Sequence, residues 1–184
     1  DGSPGNPFCT IQSAVSAANP GDLINIAART YTESGLTVMK SLTFQGAGAS
    51  TTFVQAAASQ AAATNRVFQI TGTVYVTFTH LTIRYGNTTG LGGGLYTNGW
   101  LELESCEIIS NYAGAGGGGA WIQNDARVSG SLIKHNGTGA IGGGLGLGGG
   151  LVLTGTQVVL NAAGGSGGGL YSGGAGTLTG TLFV

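Results

Sequence analysis

Gly92-Gly93-Gly94-Leu95-Tyr96 decides the fold, because this stretch returns three times at one constant interval. The later copies are Gly117-Gly118-Gly119-Ala120-Trp121, Gly142-Gly143-Gly144-Leu145-Gly146 and Gly167-Gly168-Gly169-Leu170-Tyr171. An asparagine keeps the same interval at Asn111, Asn136 and Asn161. A fixed period of about 20 to 50 residues is the signature of a solenoid, in which each repeat packs on its neighbours.

Apolar residues between these motifs recur at the same interval and form columns. The columns are Leu101, Ala126, Leu151, Gly176; then Leu103, Val128, Leu153, Leu178; then Ile108, Ile133, Val158, Phe183; and Leu95, Ala120, Leu145, Leu170. Between the first two columns lie Glu102, Arg127, Val152 and Thr177, so the alternation has the period of a strand with one buried face. The pattern predicts an all-β, right-handed, single-stranded parallel β-helix with about 25 residues per coil.

The triple glycines and the asparagines are expected at the corners of the coils. Glycine suits tight turns and positive φ, and asparagine tolerates the left-handed region and can stack its amide on that of the next coil. We predict a structural ladder of Asn87, Asn111, Asn136 and Asn161, with Gly86 as an inserted residue before the first member.

The chain is predicted to be one domain over residues 1–184. Residues 1–21 form an N-terminal cap with a helix near residues 10–18, because Ile11, Ala14, Val15 and Ala18 share one helical face and Thr10 can cap it. Residues 22–91 form less regular coils, with an edge loop or short helix over residues 55–64. Residues 92–184 form regular coils that we expect to be truncated within a strand at the C-terminus.

The composition of the chain limits which classes of partner are expected. Charged residues are only 7% of the chain and the net charge is −1, so nothing favours nucleic acid or an anionic membrane. No apolar run is long enough for a transmembrane helix. The only cysteines, Cys9 and Cys106, occupy different positions in the repeat, which makes a disulfide between them unexpected. We predict no cofactor and no metal.

Two resemblances cover nearly the whole chain. The opening, from Phe8-Cys9-Thr10-Ile11 through Leu23-Ile24-Asn25-Ile26 to Thr30-Tyr31-Thr32-Glu33, resembles pectin-lyase-like right-handed β-helices, although Arg29 stands where that family often has Gly. The later Gly-Gly-Gly-Leu and Ile-x-x-Asn repeats resemble the GGA(I/L) and FxxN repeats of polymorphic outer-membrane proteins. The resemblances imply the fold but leave the function open, because proteins with this fold include lyases, hydrolases, adhesins and passive stalks.

Candidate chemistry centres on Glu102, Glu104, Asp125 and Arg127, which the repeat brings onto neighbouring coils. They are candidates for acid–base work on a polysaccharide or for a weak Ca²⁺ site. The alternative interpretation is a cross-strand ion pair on a solvated face, with Arg127 directly beside Glu102. We favour the second interpretation, because no acidic ladder of the calcium-binding type recurs.

Aromatic and hydroxyl columns offer two further surfaces. Tyr96, Trp121 and Tyr171 form a column interrupted by Gly146, and outward rings there would stack on sugars or on a neighbouring chain. Two small polar columns are Ser129, Thr154, Thr179 and Ser131, Thr156, Thr181. Paired threonine columns at coil spacing are the pattern of β-helical ice-binding proteins.

We therefore expect a non-enzymatic β-helical scaffold, adhesin or assembly subunit, secreted or on a bacterial cell surface. Its partners would be other copies or other surface proteins, through end-to-end or side-to-side association. The alternative is a carbohydrate-active or carbohydrate-binding β-helix with polysaccharide as its ligand, and the third hypothesis is ice binding.

Overall fold

Strand pairing in the computed structural model, which describes residues 2–3 and 5–184, confirms the solenoid prediction. Within these residues the chain forms a parallel β-solenoid of about six turns, and 24 strands line up in four sheets. One turn takes about 25 residues, so that Leu101 lies beside Ala126 and Leu145 beside Leu170. From Leu95 onward the wall is therefore one coil repeated in register, whereas the N-terminal coils have unequal lengths, as the pairs Leu23–Thr43 and Leu42–Val76 show.

The strands are numbered in chain order. Sheet I contains β1 (Leu23–Ile26), β4 (Leu42–Gly46), β7 (Tyr75–Thr79), β11 (Trp100–Glu104), β15 (Ala126–Ser129), β19 (Leu151–Thr154) and β23 (Gly176–Thr179). Sheet II contains β2 (Thr30–Thr32), β5 (Phe53–Gln55), β8 (Thr82–Arg84), β12 (Glu107–Ile109), β16 (Leu132–Lys134), β20 (Gln157–Val159) and β24 (Leu182–Phe183).

The other two sheets are narrower. Sheet III contains β9 (Asn87–Thr88), β13 (Tyr112–Ala113), β17 (Gly137–Thr138) and β21 (Ala162–Ala163). Sheet IV contains β3 (Leu36–Val38), β6 (Phe68–Ile70), β10 (Leu95–Thr97), β14 (Ala120–Ile122), β18 (Leu145–Leu147) and β22 (Leu170–Ser172). A 3₁₀ turn at Gln60–Ala62 lies inside the predicted edge loop.

The predicted apolar columns fill the interior. Leu103, Val128 and Leu153 are fully buried in one column, and Ile108 and Ile133 in the next. In the N-terminal half three phenylalanines fill the same space, and the rings of Phe44 and Phe78 stack with centroids 4.9 Å apart. Side chains stacked at the strand spacing exclude water, and this burial of apolar surface is the main source of stability here.

Helix α1 (Ile11–Ala17) covers the first coil, as predicted, with Ile11 and Val15 buried against the core. Thr10 accepts a hydrogen bond from the amide of Ser13, the expected N-cap. The carboxylate of Glu33 also accepts from the amide of Ile11 at 2.8 Å, and Lys40 Nζ donates to the carbonyl of Ala18 at 2.6 Å. Opposite charges thus tie each end of the helix to the first coil.

Three corners in each regular coil adopt left-handed backbone, and one of them is at the first glycine of each triplet. The corner between sheets I and II uses Ser105 and then Gly130, Gly155 and Gly180 in successive coils. The corner between sheets II and III uses Ser110, His135 and Leu160, each directly before a ladder position. The asparagines themselves are not left-handed, although asparagine tolerates this geometry. The adjoining residue makes the turn.

Leu160→Gly is expected to raise the free energy of unfolding by up to about 1 kcal/mol, because Leu160 has φ of 54° and is 57% exposed. The side chain contributes little burial, whereas glycine enters the left-handed region without steric cost. Urea denaturation followed by circular dichroism measures the change. Leu182→Gly is the matched control in a strand, and a lower midpoint is expected there. A fall in stability for Leu160→Gly would contradict the strain argument.

The three glycines of each triplet have different functions. The first, as in Gly117 with φ of 61°, makes the left-handed turn. The second and third have no positive φ and are instead positions of close approach. A Cβ on Gly118 would overlap the carbonyl oxygens of Gly137 and Gly143, while one on Gly119 would lie 3.1 Å from the amide of Asn136. All three therefore lie at the predicted corner, and only the first has the positive φ.

The asparagine ladder joins successive coils from inside the corner. The Oδ1 atom of Asn136 accepts from both the backbone N–H and the Nδ2 of Asn111, each at 3.0 Å, and Asn161 accepts from Asn136 in the same way. Each Nδ2 also donates to a carbonyl of the preceding coil, as Asn136 does to Ile108 at 2.8 Å. Asn111 and Asn136 are buried, so these bonds satisfy groups that water does not reach.

Asn87 does not belong to this ladder, which corrects the prediction. The register places Asn87 beside Tyr112, and Gly86 occupies the ladder position. The amide of Gly86 donates to Asn111 Oδ1 at 2.8 Å. A Cβ on Gly86 would overlap the carbonyl oxygen of Gly93, so no asparagine fits there. Asn87 instead donates through Nδ2 to the carbonyl of Gln60.

Candidate functional site

A groove of about 440 Å³ runs across the outer face of sheet I and is the candidate functional site. It begins at Tyr75 and Trp100 and continues over the equivalent positions of later coils, namely Asp125, Gly150 and Ala175. Its other side follows Thr77, Glu102, Arg127, Val152 and Thr177. The groove exists because two large rings are followed in their column by small residues.

The rings of Tyr75 and Trp100 stack face to face, with centroids 4.6 Å apart and planes inclined by 7°. This separation matches the spacing of neighbouring strands, because the two residues are directly paired between β7 and β11. In the part of the chain that the structure describes, no other ring or guanidinium group contacts Trp100. The opposite face of the indole is therefore without a stacking partner.

Glu102 and Arg127 lie side by side on this face, as the repeat predicted. Both side chains are exposed, yet among residues 2–3 and 5–184 no salt bridge joins them. The cross-strand ion pair is therefore wrong for these two residues, although their register is right. Both charges lie at the groove without a protein partner.

The other two candidate acidic residues differ in their surroundings. Asp125 Oδ1 accepts from the amide of Gly150 at 2.8 Å, which commits one carboxylate oxygen to the neighbouring coil. Glu104 lies on the same outer face, beside Thr79 and Ser129, but outside the groove lining. The structure therefore brings Glu102, Asp125 and Arg127 together and leaves Glu104 at the margin.

The predicted aromatic column lies on sheet IV, away from the groove. Tyr96, Trp121, Gly146 and Tyr171 are in register as predicted. A Cβ on Gly146 would lie 2.5 Å from the indole of Trp121, so the glycine leaves the space into which this ring packs. Trp121 Nε1 is buried and has no hydrogen-bond partner among residues 2–3 and 5–184.

The two tyrosines of this column have different surroundings. The guanidinium of Arg66 lies 5.4 Å from the ring centroid of Tyr96, and its Nη2 donates to the carbonyl of Leu91 at 3.0 Å. Tyr171 is 37% exposed. The column therefore contains one ring covered by a cation, one packed on glycine and one open to solvent.

The two hydroxyl columns face opposite sides of the wall. Thr154 and Thr179 are exposed, whereas Ser131 and Thr156 are buried and donate to carbonyls two residues before them. They do not form one exposed hydroxyl array. Cys106 occupies the same inner column and donates through Sγ to the carbonyl of Glu104. Burial raises the pKa of its thiol to about 11.

Both cysteines are free thiols, and Cys9 is exposed. Within residues 2–3 and 5–184 no group of three or more His, Cys, Asp or Glu residues is placed to hold a metal ion. His80 and His135 are left-handed corner residues at different corners. No helix in this part of the chain is long and apolar enough to cross a membrane.

Sequence reasoning missed Tyr75 and Trp100, although both are large rings at the starts of strands. Tyr75 precedes the regular repeats, and the interval that separates it from Trp100 is the interval of the glycine motif. Continuing the column backward from Asp125 would have found them. The chain matches no family model, no curated protein and no solved structure, so the fold and the groove are known from this chain's own geometry.

Proposed function

We propose that the chain is a non-enzymatic scaffold of an extracellular or cell-surface protein, with the role of an adhesin, stalk or assembly subunit. The observation that carries this proposal is the way each coil is locked to the next. Buried asparagine amides, inner hydroxyls and closely approaching glycine backbones bond or pack coil on coil through the regular half. Such a wall holds its outer side chains in fixed columns.

The setting of the acidic residues favours this role over catalysis. A general acid or base usually acts from a site where burial and neighbouring charges tune its pKa. Glu102 and Glu104 project from an open sheet face instead, and Glu107 lies beyond the corner at Ser105, on sheet II. A secreted polysaccharide lyase or hydrolase remains the competing proposal.

Turnover on a panel of neutral and acidic polysaccharides separates these two roles. The scaffold proposal predicts no product from the purified chain, with identical results for Glu104→Gln and Glu102→Gln. Reducing ends and unsaturated products are measured together, so that hydrolysis and elimination are both detected. Turnover that disappears in either variant would overturn the scaffold proposal.

Association with other copies is the second part of the proposal. Apolar side chains such as Tyr112 and Leu160 are exposed along the wall, and few charges oppose contact between copies. Sedimentation equilibrium over a wide concentration range is expected to show a mass above that of the monomer. A monomer at every concentration would refute self-association and leave other surface proteins as the partner.

A further inference from the structure

We propose that the groove on sheet I binds a neutral polysaccharide, with one sugar ring stacked on the open face of Trp100. This site goes beyond the scaffold role and does not depend on it. It is also distinct from the aromatic column on sheet IV. The inference rests on three features of the groove: an unoccupied aromatic face, unpaired charges of both signs, and an elongated shape.

The aromatic platform provides the apolar part of the site. Trp100 is held flat by Tyr75 on one side, and the small residues that follow in its column leave room on the other. Tyr75 is 63% exposed, so the stack stands out from the sheet as an edge of the groove. A sugar ring bound at the level of Asp125 would lie one coil beyond Trp100, at the same stacking distance.

The charged residues select the ligand class. Glu102 and Asp125 offer carboxylate oxygens as acceptors, while Arg127 offers guanidinium donors. A sugar hydroxyl both donates and accepts, so a neutral sugar satisfies groups of both signs at once. A polyanion, either a uronate polymer or a nucleic acid, would meet two carboxylates against one guanidinium. The chemistry of the groove therefore favours a neutral glycan.

The shape of the groove favours a polymer. Its lining includes residues of five successive coils, from Tyr75 to Ala175 along one column. Four steps at the strand spacing correspond to about 19 Å along the solenoid axis. This length accommodates several sugar units in an extended chain, and the open side allows the polymer to continue beyond both ends. A small compact cofactor would fill only part of it.

Affinity electrophoresis and isothermal titration calorimetry against soluble neutral polysaccharides test the proposal. The probes are a β-1,4-glucan, a β-1,3-glucan and a galactomannan, with polygalacturonate as the acidic comparison. We expect binding of at least one neutral polymer, weakened about tenfold in Trp100→Ala, since a stacked ring contributes on the order of one decade in affinity. Tyr112→Ala removes an exposed ring from sheet III, outside the groove, and is expected to leave the affinity unchanged.

Two polar variants keep the test independent of folding. Glu102→Gln and Arg127→Gln alter exposed side chains that have no partner in the described chain, so their melting temperatures should match the wild type. Each is expected to weaken binding about threefold, the loss of one exposed hydrogen bond. Melting curves of Trp100→Ala establish that its loss of affinity is measured on folded protein.

Three outcomes would overturn the site. They are no binding to any neutral polymer, tighter binding to polygalacturonate, and equal affinity in wild type and Trp100→Ala. Loss of self-association in Trp100→Ala would instead identify the groove as an interface between copies and refute glycan binding. Turnover of a bound polymer would refute the scaffold proposal while leaving this binding site intact, so the two failures are distinguishable.

Discussion

Gly118→Ala is expected to destabilise the fold by about 3 kcal/mol or more, at the upper end of the cost of overpacking. The added methyl group would overlap two backbone carbonyl oxygens, one from Gly137 and one from Gly143 in the next coil. Backbone in a stacked wall has no free direction in which to move, because the following coil holds it in place. The midpoint of urea denaturation and the melting temperature measure the loss.

Gly176→Ala is the matched control for this prediction. Gly176 lies in β23, whereas Gly118 lies in the corner before β14, and the nearest atom to an added Cβ on Gly176 is the carbonyl oxygen of Leu151 at 3.8 Å, which is an ordinary contact. Its stability should change by less than about 1 kcal/mol, and in the stabilising direction if the unfolded chain loses entropy. Equal effects of the two substitutions would mean that close packing of coils is not what requires glycine at position 118.

Asn136→Ala is expected to cost about 3 kcal/mol, because it removes the acceptor of two buried donors. The backbone N–H and the Nδ2 group of Asn111 both lose their bond to Asn136 Oδ1, and the carbonyl of Ile108 loses its donor. An unsatisfied buried group costs about 1–3 kcal/mol. Water cannot replace the amide, since Asn111 and Asn136 are almost completely buried.

Asn161→Ala provides the graded comparison, because Asn161 makes the same bonds at a half-buried position. Asn161 itself is only partly buried, so solvent enters the space more easily once its amide is removed, and a smaller loss is expected, about 1 kcal/mol. Denaturation of both variants under identical conditions gives the difference. If Asn161→Ala lost as much stability as Asn136→Ala, burial would not determine how much the ladder bonds contribute to the free energy of unfolding.

Sequence alone was sufficient for the fold because the coil repeat fixes which residues are neighbours. Leu103 and Val128 had to stack if one repeat makes one turn, and they do. Asn87 was misplaced because the ladder position of its coil holds Gly86, and only the crowding by the Gly93 carbonyl explains why an asparagine is absent there. A short sequence motif cannot show that the backbone of another coil excludes a side chain at that position.

The groove was only half predictable, for a related reason. The repeat placed Glu102 and Arg127 on adjacent strands. A binding groove, however, depends on positions where the residue type changes from one coil to the next. Trp100 belongs to a column that continues as Asp125 and Gly150, so no common chemistry marks it. The missing salt bridge depends on side-chain conformation, which the register does not determine.

The constant offset between paired strands of the regular coils, from Leu95 onward, also bears on how such a protein changes its length. Because Tyr112 and Gly137 occupy equivalent positions, removing residues 112–136 would join Asn111 to Gly137 in the same register. The coils on either side of the deletion would meet in the register that regular neighbours now use, and the wall would shorten by about 4.8 Å. Unequal recombination between repeats therefore yields chains that can still fold. The lengths of related proteins are accordingly expected to differ by whole coils.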